Sequence, residues 1–192
     1  DEIYFTSGGT EADNLAIRGV LQTRSRKGRH IVASAIEHAA VLQTLRWLKK
    51  AELCDYTLVK PDSKGYISPE AVVEALRDDT ILVTVMAVNN EIGTIQPIAE
   101  MVRLVKARDK GIYFHTDAVQ ALGKIPCPVE DLGIDLLTAS GHKLAGPKGV
   151  GSLYCREGVL LASQITGGGQ EAGLRSGTEN VPGIAGYGRA VA

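Results

Sequence analysis

Ser140-Gly141-His142-Lys143 closes a short apolar run, Leu136-Leu137-Thr138-Ala139, and precedes the turn-forming Gly146-Pro147-Lys148-Gly149. A lysine where a buried strand ends is costly while charged, because burial disfavours the ammonium form and lowers its pKa. That cost is useful where the lysine must act as a neutral amine toward a carbonyl cofactor. Taken alone, any surface lysine after a strand looks the same. The other strand ends decide between these readings.

In open α/β sheets, ligands bind in the crevice outside the carboxyl ends of the strands. The first apolar run, Ile3 to Thr6, leads into Ser7-Gly8-Gly9-Thr10. There a helix N-terminus can offer Gly9 and Thr10 amides, and its dipole, to a phosphate. The second run delivers His38 and the fourth Asn90. The fifth delivers Asp117 with Gln120 three residues on, and the sixth delivers Ser140, His142 and Lys143. Singly, each has an ordinary explanation: a plain N-cap, a satisfied loop, a hydrogen-bonded structural histidine. His30 and His115 are read as structural. Jointly, the groups match pyridoxal phosphate, whose aldehyde needs a lysine, whose phosphate needs amides and hydroxyls, and whose ring nitrogen needs a carboxylate.

The elements that must position these groups alternate along the chain. Strands are expected at Ile3–Thr6, Ile31–Ala35, Tyr56–Val59, Ile81–Val88, Ile112–Thr116, Ile134–Ala139 and Gly151–Cys155. Between them, Ala12, Leu15, Ala16, Gly19 and Val20 recur at helical spacing, as do Val41, Leu45 and Leu48, and Ile98, Met101, Val102 and Val105. Ser68-Pro69 marks an N-cap with proline at the first helical position, and Gly111 suits a helix C-cap. Weak helical character returns after Pro182. Alternation of this kind implies an α/β fold with a mainly parallel seven-stranded sheet covered by helices on both faces. Residues 1–192 form one cofactor-binding domain in this reading.

Composition narrows the class. Of 192 residues, 44% are hydrophobic and 22% charged, as in ordinary globular proteins. Lys plus Arg number 21 against 22 Asp plus Glu, so no global field recruits nucleic acid or an anionic membrane. The run Arg24, Arg26, Lys27, Arg29, His30 reads as a solvated helix end. Cys54, Cys127 and Cys155 show neither CxxC nor metal-ligand spacing. An odd count argues against a complete disulfide framework and favours a reducing, cytoplasmic setting. No apolar run is long enough for a membrane span. The opening without Met, and an end at Gly188–Ala192 that looks like a helix interior, lead to the expectation of a piece of a longer protein.

The motifs together resemble one family. Gly9-Thr10-Glu11-Ala12-Asp13-Asn14, Glu37-His38, Val88-Asn89-Asn90-Glu91-Ile92-Gly93, His115-Thr116-Asp117-Ala118-Val119-Gln120 and Ser140-Gly141-His142-Lys143 follow the order seen in cysteine desulfurases of the NifS and IscS type. Gly167-Gly168-Gly169-Gln170-Glu171 and Arg175-Ser176-Gly177-Thr178 point to that branch rather than the SufS-like one. The resemblance spans nearly the whole chain. It implies the large domain of a fold-type-I pyridoxal-phosphate enzyme of the class V aminotransferase family. Lys143 would hold the cofactor covalently, and His38 would stack on its ring and shuttle protons. Asp117 would pair with the pyridine nitrogen, Gln120 with the ring hydroxyl, and Asn90 would lie beside ring and substrate. Gly9, Thr10, Ser140 and His142 would hold the phosphate, joined by Thr178 from the second subunit of a homodimer.

The implied reaction converts L-cysteine to alanine and passes sulfur, as an enzyme persulfide, to an iron–sulfur scaffold or another sulfur-acceptor protein. The family's persulfide cysteine and a substrate-binding arginine match no position here, so this stretch alone is expected to be inactive. A selenocysteine lyase or class V aminotransferase, and a non-catalytic cofactor-binding or dimerisation module, remain the alternatives.

Overall fold

The structure, a computed structural model, describes residues 2–192. In chain order its elements are β1 (Ile3–Thr6), α1 (Gly9–Arg24), β2 (His30–Ser34), α2 (Ala39–Lys50), β3 (Asp55–Val59), α3 (Pro69–Glu74) and β4 (Thr80–Thr84). There follow α4 (Ile98–Arg108), β5 (Tyr113–Asp117), α5 (Val129–Leu132), β6 (Leu136–Ser140), β7 (Gly151–Cys155) and α6 (Val181–Val191). One seven-stranded sheet runs β1-β7-β6-β5-β4-β2-β3. Its pairings from β3 through β6 are parallel, and β7 alone runs against its neighbours β6 and β1. The expected mainly parallel α/β architecture is therefore present.

The reason is visible in the burial pattern. β2, β4 and β6 are buried at every residue, as strands covered on both faces must be. Their side chains alternate between two cores. Val32, Val83, Phe114 and Leu137 join Met101, Val102 and Val105 of α4 on one face. Ile31, Ala33, Leu82, Leu136 and Leu153 join Leu15, Ala16 and Val20 of α1 and Val41, Leu45 and Leu48 of α2 on the other. The helical stripes read from spacing are thus the buried ones.

Caps decide several boundaries. Ser68 accepts from the Ala71 amide with Pro69 at the helix start, as expected. Gly111 does not cap α4. The helix ends at Asp109, whose carboxylate instead accepts from the Gly111 amide at 2.7 Å. β4 stops at Thr84 rather than Val88. Beyond it the chain keeps touch with β5 through Val85 N–H to His115 O, Ala87 N–H to Asp117 O and Thr116 Oγ1 to Val85 O, then bridges Val88 to Ile95. A β-rich composition permits a ladder, but it needs partners on both sides, and beyond Thr84 the Met86 amide goes to the Glu37 carboxylate instead of to β2, which ends at Ser34.

One buried polar joint ties β5 to β6. Asp135 Oδ2 accepts both the Phe114 amide and the Lys106 ammonium at 2.6 Å. Asp135→Ala leaves that amide and much of that charge unpaired. It is expected to cost about 3 kcal/mol in chemical denaturation, whereas a loss below about 1 kcal/mol would show that the joint is not structural.

Candidate active site

A parallel sheet puts the carboxyl ends of its strands on one edge, and there the structure has a cleft of about 400 Å³. Nine of the ten residues singled out from the sequence line it: Gly9, Thr10, His38, Asn90, Asp117, Gln120, Ser140, His142 and Lys143. Thr178 does not. It lines an adjoining cavity that shares Ser7 and Gly149 with the main cleft.

The chain approaches itself closely to build the anion-binding corner. A Cβ on Gly9 would stand 2.9 Å from Val119, and one on Gly151 would stand 2.7 Å from the Ala139 carbonyl oxygen. Glycine at both positions lets α1 begin directly against β6 and β7. α1 has no side chain capping its N-terminus, so its first amides face the cleft free of an internal partner. Beside them Ser140 Oγ and His142 Nδ1 lie 2.8 Å apart. The start of α1 is clamped from outside, since Glu11 takes a two-pronged ion pair from Arg175 at 2.7 and 3.2 Å. Burial works against the Glu11 charge, but Arg175 and Ser7 outweigh it and hold the carboxyl below its ordinary pKa. This clamp fastens the glycine-rich segment that carries Thr178.

His38 caps α2, its Nδ1 accepting from the Ala40 amide at 3.1 Å. That bond places the neutral ring's proton on Nε2. Asn90 is exposed, and its position is set by buried Asn89. The Asn89 carbonyl accepts from the Glu91 and Ile92 amides, and its amino group donates to Ile36 O. Gln120 is half-buried, with Oε1 accepting from Lys124 at 2.8 Å. Asp117 is 4% exposed, and Oδ1 accepts from the Val119 amide at 2.9 Å. Burial raises its pKa, opposed by that amide and by His38.

Lys143 corrects one expectation. β6 ends at Ser140, and the lysine rides on a 3₁₀ turn, Gly141–Leu144, with its side chain exposed at the cleft rather than buried with the strand. Lys148, its rival by sequence, lies outside the cleft lining.

His115 behaves as the structural residue it was read to be. It is fully buried between Thr84 and Thr138, and burial holds its pKa down to about 3. His30 is likewise buried between Thr57 and Thr80. Two acids beneath the cleft were not singled out from the sequence. Asp13, on α1, lines the cleft at 1% exposure. Glu37 accepts from Ser34 and from the Met86 amide, yet burial still pushes it up to about 8. A signal existed for Asp13. It falls on the buried arc of α1, three and four positions before Ala16 and Ile17, where an acid is out of place.

The three thiols stand apart from the cleft. Cys54 and Cys155 are buried and pushed up to about 11 by that burial, and burial also raises Cys127.

Comparison with known proteins gives one consistent result. The sequence profile for Aminotransferase class-V matches residues 1–192. The cysteine desulfurase IscS of Methanosarcina thermophila is 53% identical over 190 residues, covering 99% of this chain and 46% of that protein. A solved NifS-like protein superposes with a TM-score of 0.96 at 46% identity, covering 99% of this chain and 52% of the other. The structure described as SspA in complex with cysteine superposes at 0.94 with 45% identity, over 99% of this chain and 55% of the other. The chain spans about half the length of the curated relatives it matches.

Proposed function

The chain belongs to the aminotransferase class-V family, and from that premise we propose that it carries the cofactor-binding half of a pyridoxal-phosphate-dependent cysteine desulfurase. One observation supports this most: Lys143, His38 and Asp117 reach one cleft whose far corner is a free helix N-terminus beside Ser140 and His142. The cofactor fits the residues present. Its phosphate finds amides and hydroxyl donors at Gly9, Thr10, Ser140 and His142, and its ring nitrogen finds a buried carboxyl at Asp117. When bound, pyridoxal phosphate supplies an aldehyde that condenses with amines and a cationic ring that draws electrons from a substrate's Cα.

The chain's own residues do the rest. Lys143, exposed at the cleft, supplies the amine and afterwards a base within reach of the substrate. Asp117 holds a proton on the ring nitrogen. His38 packs against the ring and moves protons through Nε2, the nitrogen its cap bond leaves free. Gln120 and Asn90 orient the ring hydroxyl and the substrate. Thr178, which lines the adjoining cavity and not its own cleft, contributes to the phosphate site of a second copy in a homodimer. The substrate is L-cysteine, as bound in the related SspA structure. A protein thiolate attacks the substrate sulfur, and the C–S bond breaks. The thiol becomes a persulfide that passes sulfur to an iron–sulfur scaffold or another acceptor, and the carbon skeleton leaves as alanine after taking up a proton. No helix among the described residues is long and apolar enough to cross a membrane, and we place the reaction in the reducing cytoplasm.

The attacking thiolate is none of Cys54, Cys127 and Cys155, because none of them lines the cleft and burial raises the pKa of each. In the full-length protein, cysteine should yield alanine and sulfane sulfur one for one, and peptide mapping should find no persulfide on these three. Formation of a keto acid in place of alanine would identify an aminotransferase instead. Persulfide on any of the three, above that formed by free cofactor at matched concentration, would overturn the exclusion.

A further inference from the structure

Among the described residues, no lysine or arginine forms an ion pair with the acids beneath the cleft. Asp13 and Asp117 each offer an oxygen that, with a ring nitrogen of His38, lies within 4.8 Å of the others. Both carboxyls are at least 96% buried, and Asp13 Oδ1 has no hydrogen-bond partner. The titratable groups facing Asp13 come from two directions. From β5 come His115, whose Nε2 stands 3.6 Å from Oδ1, and Asp117. From the turn after β2 come Glu37 and His38. β6 presents only Thr138, whose hydroxyl meets both His115 and the Asp13 carboxyl and opposes the rise in the Asp13 pKa. No lysine or arginine pairs with Asp13 among the described residues. His115 is neutral, so it brings no charge either.

Two like charges this close in a buried site do not both ionise. Which acid keeps the charge depends on its partners. Asp117 has the Val119 amide and the His38 ring, whereas Asp13 has a single hydroxyl, Thr138, and its Oδ1 has no partner. We propose that Asp13 is a positioning residue held as the neutral carboxylic acid, so that the Asp13–Asp117 pair carries one negative charge and that charge sits on Asp117. Burial, then the neighbouring Asp117, raise the Asp13 pKa in the same sense. A single charge matches a ring nitrogen bearing a single proton, whereas two would over-bind that proton. This consequence rests on the pyridoxal-phosphate reading, but the protonation of Asp13 does not.

Asp13→Asn replaces a neutral acid with a neutral amide of the same shape. A folded-state pKa raised above the unfolded value means that the folded chain holds a proton the unfolded chain releases. Stability is then lost as pH rises from the unfolded pKa to the folded one. Asparagine removes that loss. Relative to the variant, the native protein's unfolding constant should rise with pH above the ordinary carboxylate range, approaching about tenfold per pH unit, measured by denaturation without cofactor. A ratio independent of pH, or one that moves in the variant's disfavour, overturns the proposal. If the variant does not fold, carbon-13 NMR of aspartate-labelled native protein decides, since the Asp13 carboxyl should stay protonated through the ordinary carboxylate range and titrate only above it. With pyridoxal phosphate added, Asp13→Asn should keep the pH dependence of the cofactor's visible band. A band that matches Asp117→Asn instead would put the charge on Asp13. Absence of any cofactor band would count against the cofactor reading and leave the denaturation result standing.

Discussion

Replacing Lys143 by alanine should abolish covalent retention of pyridoxal phosphate and bring cysteine turnover by the full-length protein to background. The expectation rests on position. Lys143 lines the cleft at the carboxyl edge of β6, with Ser140 and His142 beside it. In the native protein, borohydride treatment should fix the cofactor on the peptide containing Lys143. Lys148 is the closest competitor in sequence and Lys124 is held by Gln120, but neither lines the cleft. Label recovered on either of them would refute the assignment. Because the Lys143 side chain is exposed at the cleft and outside the hydrophobic core, the substitution should leave the denaturation midpoint nearly unchanged. A loss of fold would therefore not be confused with a loss of chemistry.

Asp117→Asn should slow Cα deprotonation on the order of 10³-fold while the cofactor still binds. The amide keeps the carboxyl's shape but removes the charge that holds a proton on the ring nitrogen. The phosphate corner is built from α1 and the Ser140 turn, which the change does not touch. Cofactor affinity should thus fall by no more than about tenfold. Single-turnover kinetics with deuterated cysteine would measure the step directly. Near-native rates would mean that ring protonation is not controlled by this residue. Affinity lost along with rate would mean that Asp117 holds the cofactor rather than tuning it.

The pattern of strand and helix was legible because it is local. Apolar runs bounded by glycine and polar residues mark β1 to β7, and the stripes on α1, α2 and α4 mark which face each helix buries. The site residues were legible for a related reason. Parallel strands bring all their carboxyl ends to one edge, so residue identities at those ends already describe the site's contents. Burial and charge were not legible, because they are sums over groups far apart in the chain. Lys143 is exposed because β6 stops at Ser140 and the 3₁₀ turn lifts it clear, a boundary set by the Gly141 amide pairing with Val150 O. β4 ends early because β2 ends at Ser34 and the Glu37 side chain takes the Met86 amide. Asp13 reads as one acid in the first turns of a helix until α1 is laid across β5. Only that packing buries it beside His115 and Asp117, where two charges this close do not both ionise.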